Sequence, residues 1–150
     1  MLAKDLTESY PRSPFDAIDG YLWLPRLIDK VRAKQAGKLG EYIPFPCGSD
    51  KRFLETFWID ADSLEQVILS GASDEAIARW CREHARHRPE EVGESYRAKL
   101  LAPSPAESQE RLAQARAQLS ATHPDLDLGM VDSFIKLILV DEGHPFPASV

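Results

Sequence analysis

Arg26, Lys30 and Lys34 stand four residues apart, so a helix through them carries all three cations on one face. Lys38 extends the row past Gly37, and residues 26–40 hold five cations against a single acid, Asp29. Like charges one turn apart repel by roughly a few tenths of a kcal/mol per pair. A bound anion offsets that repulsion and gains charge-assisted hydrogen bonds, bidentate where Arg26 is the donor. The turn Lys38-Leu39-Gly40-Glu41-Tyr42 would bring backbone N–H groups to the same region. The chemistry expected of Arg26, Lys30, Lys34 and Lys38 is therefore recognition of a phosphate, a carboxylate or an acidic partner. The row is not a phosphate-binding loop, because Gly-x4-Gly-Lys-Ser/Thr is absent. Its plainer reading is a solvated helix surface.

Three further groups could carry chemistry. Asp29, Glu41 and Tyr42 beside those cations are candidates for acid–base work. Asp29, however, lies one turn from both Arg26 and Arg32, where it is expected to orient an arginine. Cys47, in Pro44-Phe45-Pro46-Cys47-Gly48, is a candidate reactive thiol, since cations nearby favour the nucleophilic form of a loop cysteine. Cys81, His84 and His87 form Cys-x2-His-x2-His, a spacing that can reach zinc. Cys81 and His84 share the apolar side of Ile77 and Trp80, so the expectation is a packed cysteine, with no metal and no cofactor.

These residues need helices to hold them. Leu24, Leu27, Ile28 and Val31 fall at i, i+3, i+4 and i+7, one apolar stripe. Pro25 suits the first turn of that helix, and Gly37 its end. Residues 1–20 read as an extended arm with a turn at Asp19-Gly20. Residues 42–49 read as a loop or a short extended piece. Phe53, Leu54, Phe57 and Trp58 mark the next helix. Asp60 and Ser73 are placed to cap two more, carrying Leu64, Val67 and Ile68, then Ile77, Trp80 and Cys81. Pro89 opens another. A Pro/Ala-rich segment, residues 103–125, contains a thinly apolar helix near 106–121 that packs at an edge or meets another subunit. Met130 to Ile138 form the last. The expectation is an all-α single domain over residues 1–150, with about six or seven helices and a core including Leu27, Ile28, Phe53, Phe57, Ile77, Trp80, Phe134, Ile135 and Ile138.

Length and composition agree with one soluble globular domain. The net charge of −6 is unevenly placed. Residues 1–52 carry nine Lys/Arg against seven Asp/Glu, a net of +2, whereas residues 53–150 carry nine against seventeen, a net of −8. General nucleic-acid binding is not expected of so acidic a chain. No apolar run approaches ~20 residues, so no membrane span is expected. Acids near the N-terminus argue against an export signal, and two cysteines suit a reduced cytoplasmic protein.

Leu24-Pro25-Arg26-Leu27-Ile28-Asp29-Lys30, with Arg32-Ala33-Lys34, Gly40-Glu41-Tyr42, Asp50, Arg52-Phe53-Leu54-Glu55, Gly71-Ala72-Ser73-Asp74-Glu75 and Asp141-Glu142-Gly143, resembles a family of small bacterial proteins, the domain of unknown function numbered 5069. The resemblance covers most of the chain and is weakest from Ala102 to Ala121. It implies the one-domain organisation and carries no activity, cofactor or site residue with it.

The leading expectation is a small helical binding module for an anionic small molecule or acidic partner. The alternatives are a small enzyme using Asp29, Glu41, Tyr42 or Cys47 for acid–base or thiol chemistry, and an oligomerising structural protein.

Overall fold

Asp19 and Gly20 both adopt the left-handed backbone, with φ of 51° and 84°, the pairing that lets a two-residue turn follow the twist of antiparallel strands. The turn joins β1 (Ala17–Ile18) to β2 (Tyr21–Leu22), with Ala17 opposite Leu22 and Ile18 opposite Tyr21. In this computed structural model, which describes residues 3–148, these are the only strands among the described residues. Of the two readings for residues 42–49, the loop holds through residue 47, with bends and irregular backbone and no strand, and residues 48 and 49 already begin a helix. The N-terminal arm is not simply extended, because its end folds into the hairpin. Leu6, Pro11, Ser13 and Pro14 are buried, and the Leu6 N–H donates to the carbonyl of Lys38 at 2.8 Å.

The rest is helical: α1 (Leu24–Gln35), α2 (Gly48–Phe57), α3 (Ala61–Leu69), α4 (Asp74–His84), α5 (Pro89–Leu101), a short 3-10 turn (Ala106–Ser108), α6 (Gln109–Thr122) and α7 (Phe134–Glu142). The fold is all-α, with seven α-helices among the described residues. Pro25 lies in the first turn of α1, where a missing N–H sacrifices no hydrogen bond. Asp60 caps α3 by accepting from the Ser63 N–H, Ser73 caps α4 through the Ala76 N–H, and Ser133 caps α7 through the Lys136 N–H. Each satisfies a backbone donor that a helix start leaves open. Among the described residues no helix is long and apolar enough to cross a membrane.

The described residues gather into two compact units, one ending at Tyr96 and one beginning at Arg97. In the first, Tyr21, Phe53, Phe57 and Tyr96 pack edge-on or tilted, with ring centroids 5.0 to 6.2 Å apart. Leu24, Leu27, Ile28, Leu64, Ile68, Ile77 and Cys81 complete the core. Trp80 was expected in that core, but it is only half-buried. The side of α4 that turns inward is set by Ile77, Ala78 and Cys81, and Trp80 lies on its flank. There it stacks on His84 at 4.6 Å, and its carbonyl lies 2.9 Å from His84 Nδ1.

In the second unit, Leu112 of α6 is buried with Leu128 and Val131, and Leu119, Leu126, Phe134, Leu137 and Val140 pack around them. The inward positions of α7 are Ile135 and Leu139. Phe134 and Ile138, expected inside, are partly covered. Arg111 lies over the Phe134 ring at 5.4 Å.

Candidate functional site

Helix α1 has almost no wet side, for its first ten residues, Leu24 to Ala33, are all buried. That run contains four charged residues, Arg26, Asp29, Lys30 and Arg32. This corrects the expected exposed cation row. Arg26 is 4% and Lys30 3% exposed, and only Lys34 and Lys38 are exposed. The repulsion among the buried cations is relieved within the chain. A charge buried without a partner costs several kcal/mol, and each of these four buried charges is met by groups from other segments.

Arg12, on the arm, grips Asp29 with two guanidinium nitrogens, Nη2 to Oδ1 at 3.0 Å and Nε to Oδ2 at 3.1 Å, and its own backbone N–H adds a third bond at 2.8 Å. Its Nη1 reaches Asp74 Oδ2 at 2.8 Å. Arg32 donates to the other Asp74 oxygen, also at 2.8 Å, and to the Ala72 carbonyl at 3.0 Å. Burial pushes the Asp74 carboxyl up, but hydrogen bonds and charge from Arg12 and Arg32 outweigh it and hold the group below its ordinary value. Arg26 donates to the Arg12 carbonyl at 3.3 Å and lies over the rings of Trp23 and Tyr42, 5.6 and 5.8 Å from their centres. This half of the network ties the arm, α1 and α4 together.

The other half surrounds Cys47, the residue that precedes α2. Asp50, at the third position of that helix, is completely buried. It accepts the Cys47 N–H at 2.9 Å, the Trp23 indole N–H at 2.8 Å and Lys30 Nζ at 2.8 Å. The Asp50–Cys47 bond is the carboxylate arm of a capping box. With these three donors the carboxylate is satisfied in a place that water does not reach. Lys30 Nζ makes a second contact, to Cys47 Sγ at 3.2 Å. Cys47 is half-buried and unbridged. The Tyr96 hydroxyl is also buried and has no hydrogen-bond partner. Burial pushes its pKa up, the nearby Asp50 carboxylate adds to that, and Arg52 opposes it.

Among the acid–base candidates, Asp29 is engaged by Arg12, Tyr42 is half-buried near Arg26, and Glu41 is exposed. Cys81 is completely buried and unbridged, and burial pushes its thiol up to about 12. His84 is exposed. Among the described residues no group of three His, Cys, Asp or Glu side chains could hold a metal ion.

The structure thus joins two sequence candidates, Lys30 and Cys47, through Asp50, which spacing alone did not single out as chemical. Arg12, Trp23 and Asp74 escaped the same reasoning. One signal was available: Cys47-x-x-Asp50 has the spacing of a helix-start capping box with cysteine in place of serine. Cys47 is thus half-buried, with its sulfur in contact with an ammonium that is itself buried and paired to the buried Asp50.

No curated protein matches the chain. The family model described as Domain of unknown function (DUF5069) matches residues 8–144, and the chain belongs to that family.

Proposed function

We propose that this protein works through Cys47 as a reactive thiol, a nucleophile toward peroxides or other small electrophiles. The observation that carries this reading is the Lys30 ammonium, 3.2 Å from Cys47 Sγ and locked in place by Asp50. Reactive cysteines occur in partly exposed, electropositive settings, whereas buried apolar ones are inert. Cys47 is half-buried beside the Lys30 ammonium, whereas Cys81 is completely buried.

With a peroxide, the sulfur donates an electron pair to one oxygen and the O–O bond breaks. The thiol proton leaves with the departing hydroxide as water, and Cys47 becomes a sulfenic acid. Lys30 stands where it can stabilise negative charge on sulfur as the proton departs, and Asp50 holds Lys30 there. Trp23 and the Cys47 N–H hold Asp50 in turn. The small-molecule partner of this reading is an electrophile rather than a stably bound anion. Two unbridged cysteines suit a reducing cytoplasm.

Native protein is treated with iodoacetamide at neutral pH and its peptides are mapped over time. Cys47 should react faster than the same residue in the denatured chain, while Cys81 stays unmodified until unfolding. A Cys47 that reacts more slowly in the native protein than in the denatured chain overturns the proposal.

A further inference from the structure

We infer that oxidised Cys47 is captured by Lys30, forming a sulfenamide cross-link between α1 and the start of α2. This rests on the thiol reading above and extends it to the fate of the oxidised sulfur. Sulfenic acids condense with nitrogen nucleophiles when one is held close. Lys30 Nζ lies 3.2 Å from Cys47 Sγ, within the ~3–3.5 Å separation from which bound groups react. Lys30 is buried, so its nitrogen is held in one place and its path to sulfur is short.

A peroxide first converts the Cys47 thiol to a sulfenic acid and is itself reduced to water. Asp50, 2.8 Å from Lys30 Nζ, takes one proton from the ammonium, freeing the nitrogen lone pair. Nitrogen attacks sulfur, the S–N bond forms and the S–O bond breaks. The departing hydroxide collects a second proton from nitrogen and leaves as water. One proton remains on Asp50, and the link is neutral. A buried ion pair is thereby replaced by two uncharged groups, an exchange that buried sites commonly tolerate. A second thiol attacks the sulfur, gives its proton to the departing Lys30 amine and leaves a mixed disulfide, which a further thiol reduces to free Cys47. The cross-link shields the sulfur from further oxidation to sulfinic acid, which ordinary thiols cannot reverse.

The test uses full-length protein carrying Cys81→Ala, which removes any internal disulfide of the same mass. It is exposed to hydrogen peroxide and examined by intact mass, dimedone labelling and peptide mapping. The expected product has lost two hydrogens, joins the Lys30 peptide to the Cys47 peptide, resists dimedone and returns to the starting mass with dithiothreitol. Adding Lys30→Arg keeps a cation opposite Asp50 but removes the amine, and there the sulfenic acid should persist and label with dimedone. Dimedone-labelled or sulfinic Cys47 without the linked peptide, in protein that retains Lys30, overturns the cross-link and leaves the reactive thiol standing. A link that retains an oxygen atom overturns the direct S–N bond. Failure of Cys47 to oxidise at all overturns both.

Discussion

The indole N–H of Trp23 ends on Oδ1 of Asp50 at 2.8 Å, twenty-seven residues along the chain, with both side chains buried. Trp23 precedes α1 in the left-handed backbone region, with φ of 75°. A bulky residue adopts that region only at a cost of about 1–3 kcal/mol, when its surroundings over-determine it. The bond to Asp50 and the packing of the indole are such surroundings. Entry into α1 and the carboxylate beside Cys47 are therefore one construction.

Trp23→Phe keeps most of the ring and removes the N–H. Asp50 then loses one of three donors in a place without water, and the expected loss is about 1–3 kcal/mol of unfolding free energy. Urea denaturation measures it. A change within a few tenths of a kcal/mol would show that the indole N–H contributes nothing to the Asp50 site.

Asp74 makes stability depend on acid. Its folded pKa lies below the ordinary value of 3.8, because its bonds to Arg12 and Arg32 outweigh the effect of burial. A depressed carboxyl contributes stability that is full above its unfolded value and lost as pH falls through the lower folded one. Unfolding free energy should therefore decline below about pH 3.8, and Asp74→Asn should decline less steeply. An unchanged slope in the variant would remove Asp74 from the account.

Cys81 acts at the other end of the scale. Burial raises its thiol from 9.0 to about 12, so the unfolded chain ionises first. Its contribution is complete below pH 9.0 and is lost as pH rises toward about 12. Cys81→Ala should show a shallower alkaline decline than the wild type in denaturation series from neutral pH upward. Equal declines in both proteins would contradict the assignment.

Much of the helical frame was legible because its signals are local. Leu24, Leu27, Ile28 and Val31 announce a helix through their period, and Asp60 and Ser73 each meet a backbone N–H three residues on. Asp19-Gly20 signals its turn for the same reason. The site was legible only in part. Lys30 and Cys47 belong to residue types that invite chemistry, but the partners of α1 lie far away: Asp50 is twenty residues from Lys30, and Asp74 forty-two from Arg32. Cations spaced one turn apart look the same in sequence whether they face water or distant acids. Trp80 and Phe134 illustrate a smaller limit. A helical period identifies an apolar side, but tertiary packing chooses which residues at its margin are covered.

Ten successive buried positions also constrain how α1 can be mistaken. An ordinary amphipathic helix tolerates sliding or rolling, since one greasy stripe resembles another. In α1, a slip of one residue would rotate every side chain by about 100°, parting Asp29 from Arg12, Lys30 from Asp50 and Arg32 from Asp74 together. Each misplaced charge would then be stranded where water cannot rescue it. Breaking these pairs together makes such near-miss arrangements expensive, because a buried charge that loses its partner is strongly destabilising. The sulfur of Cys47 sits beside one of those checkpoints, so its chemical environment exists only once the helix has been threaded in its proper register.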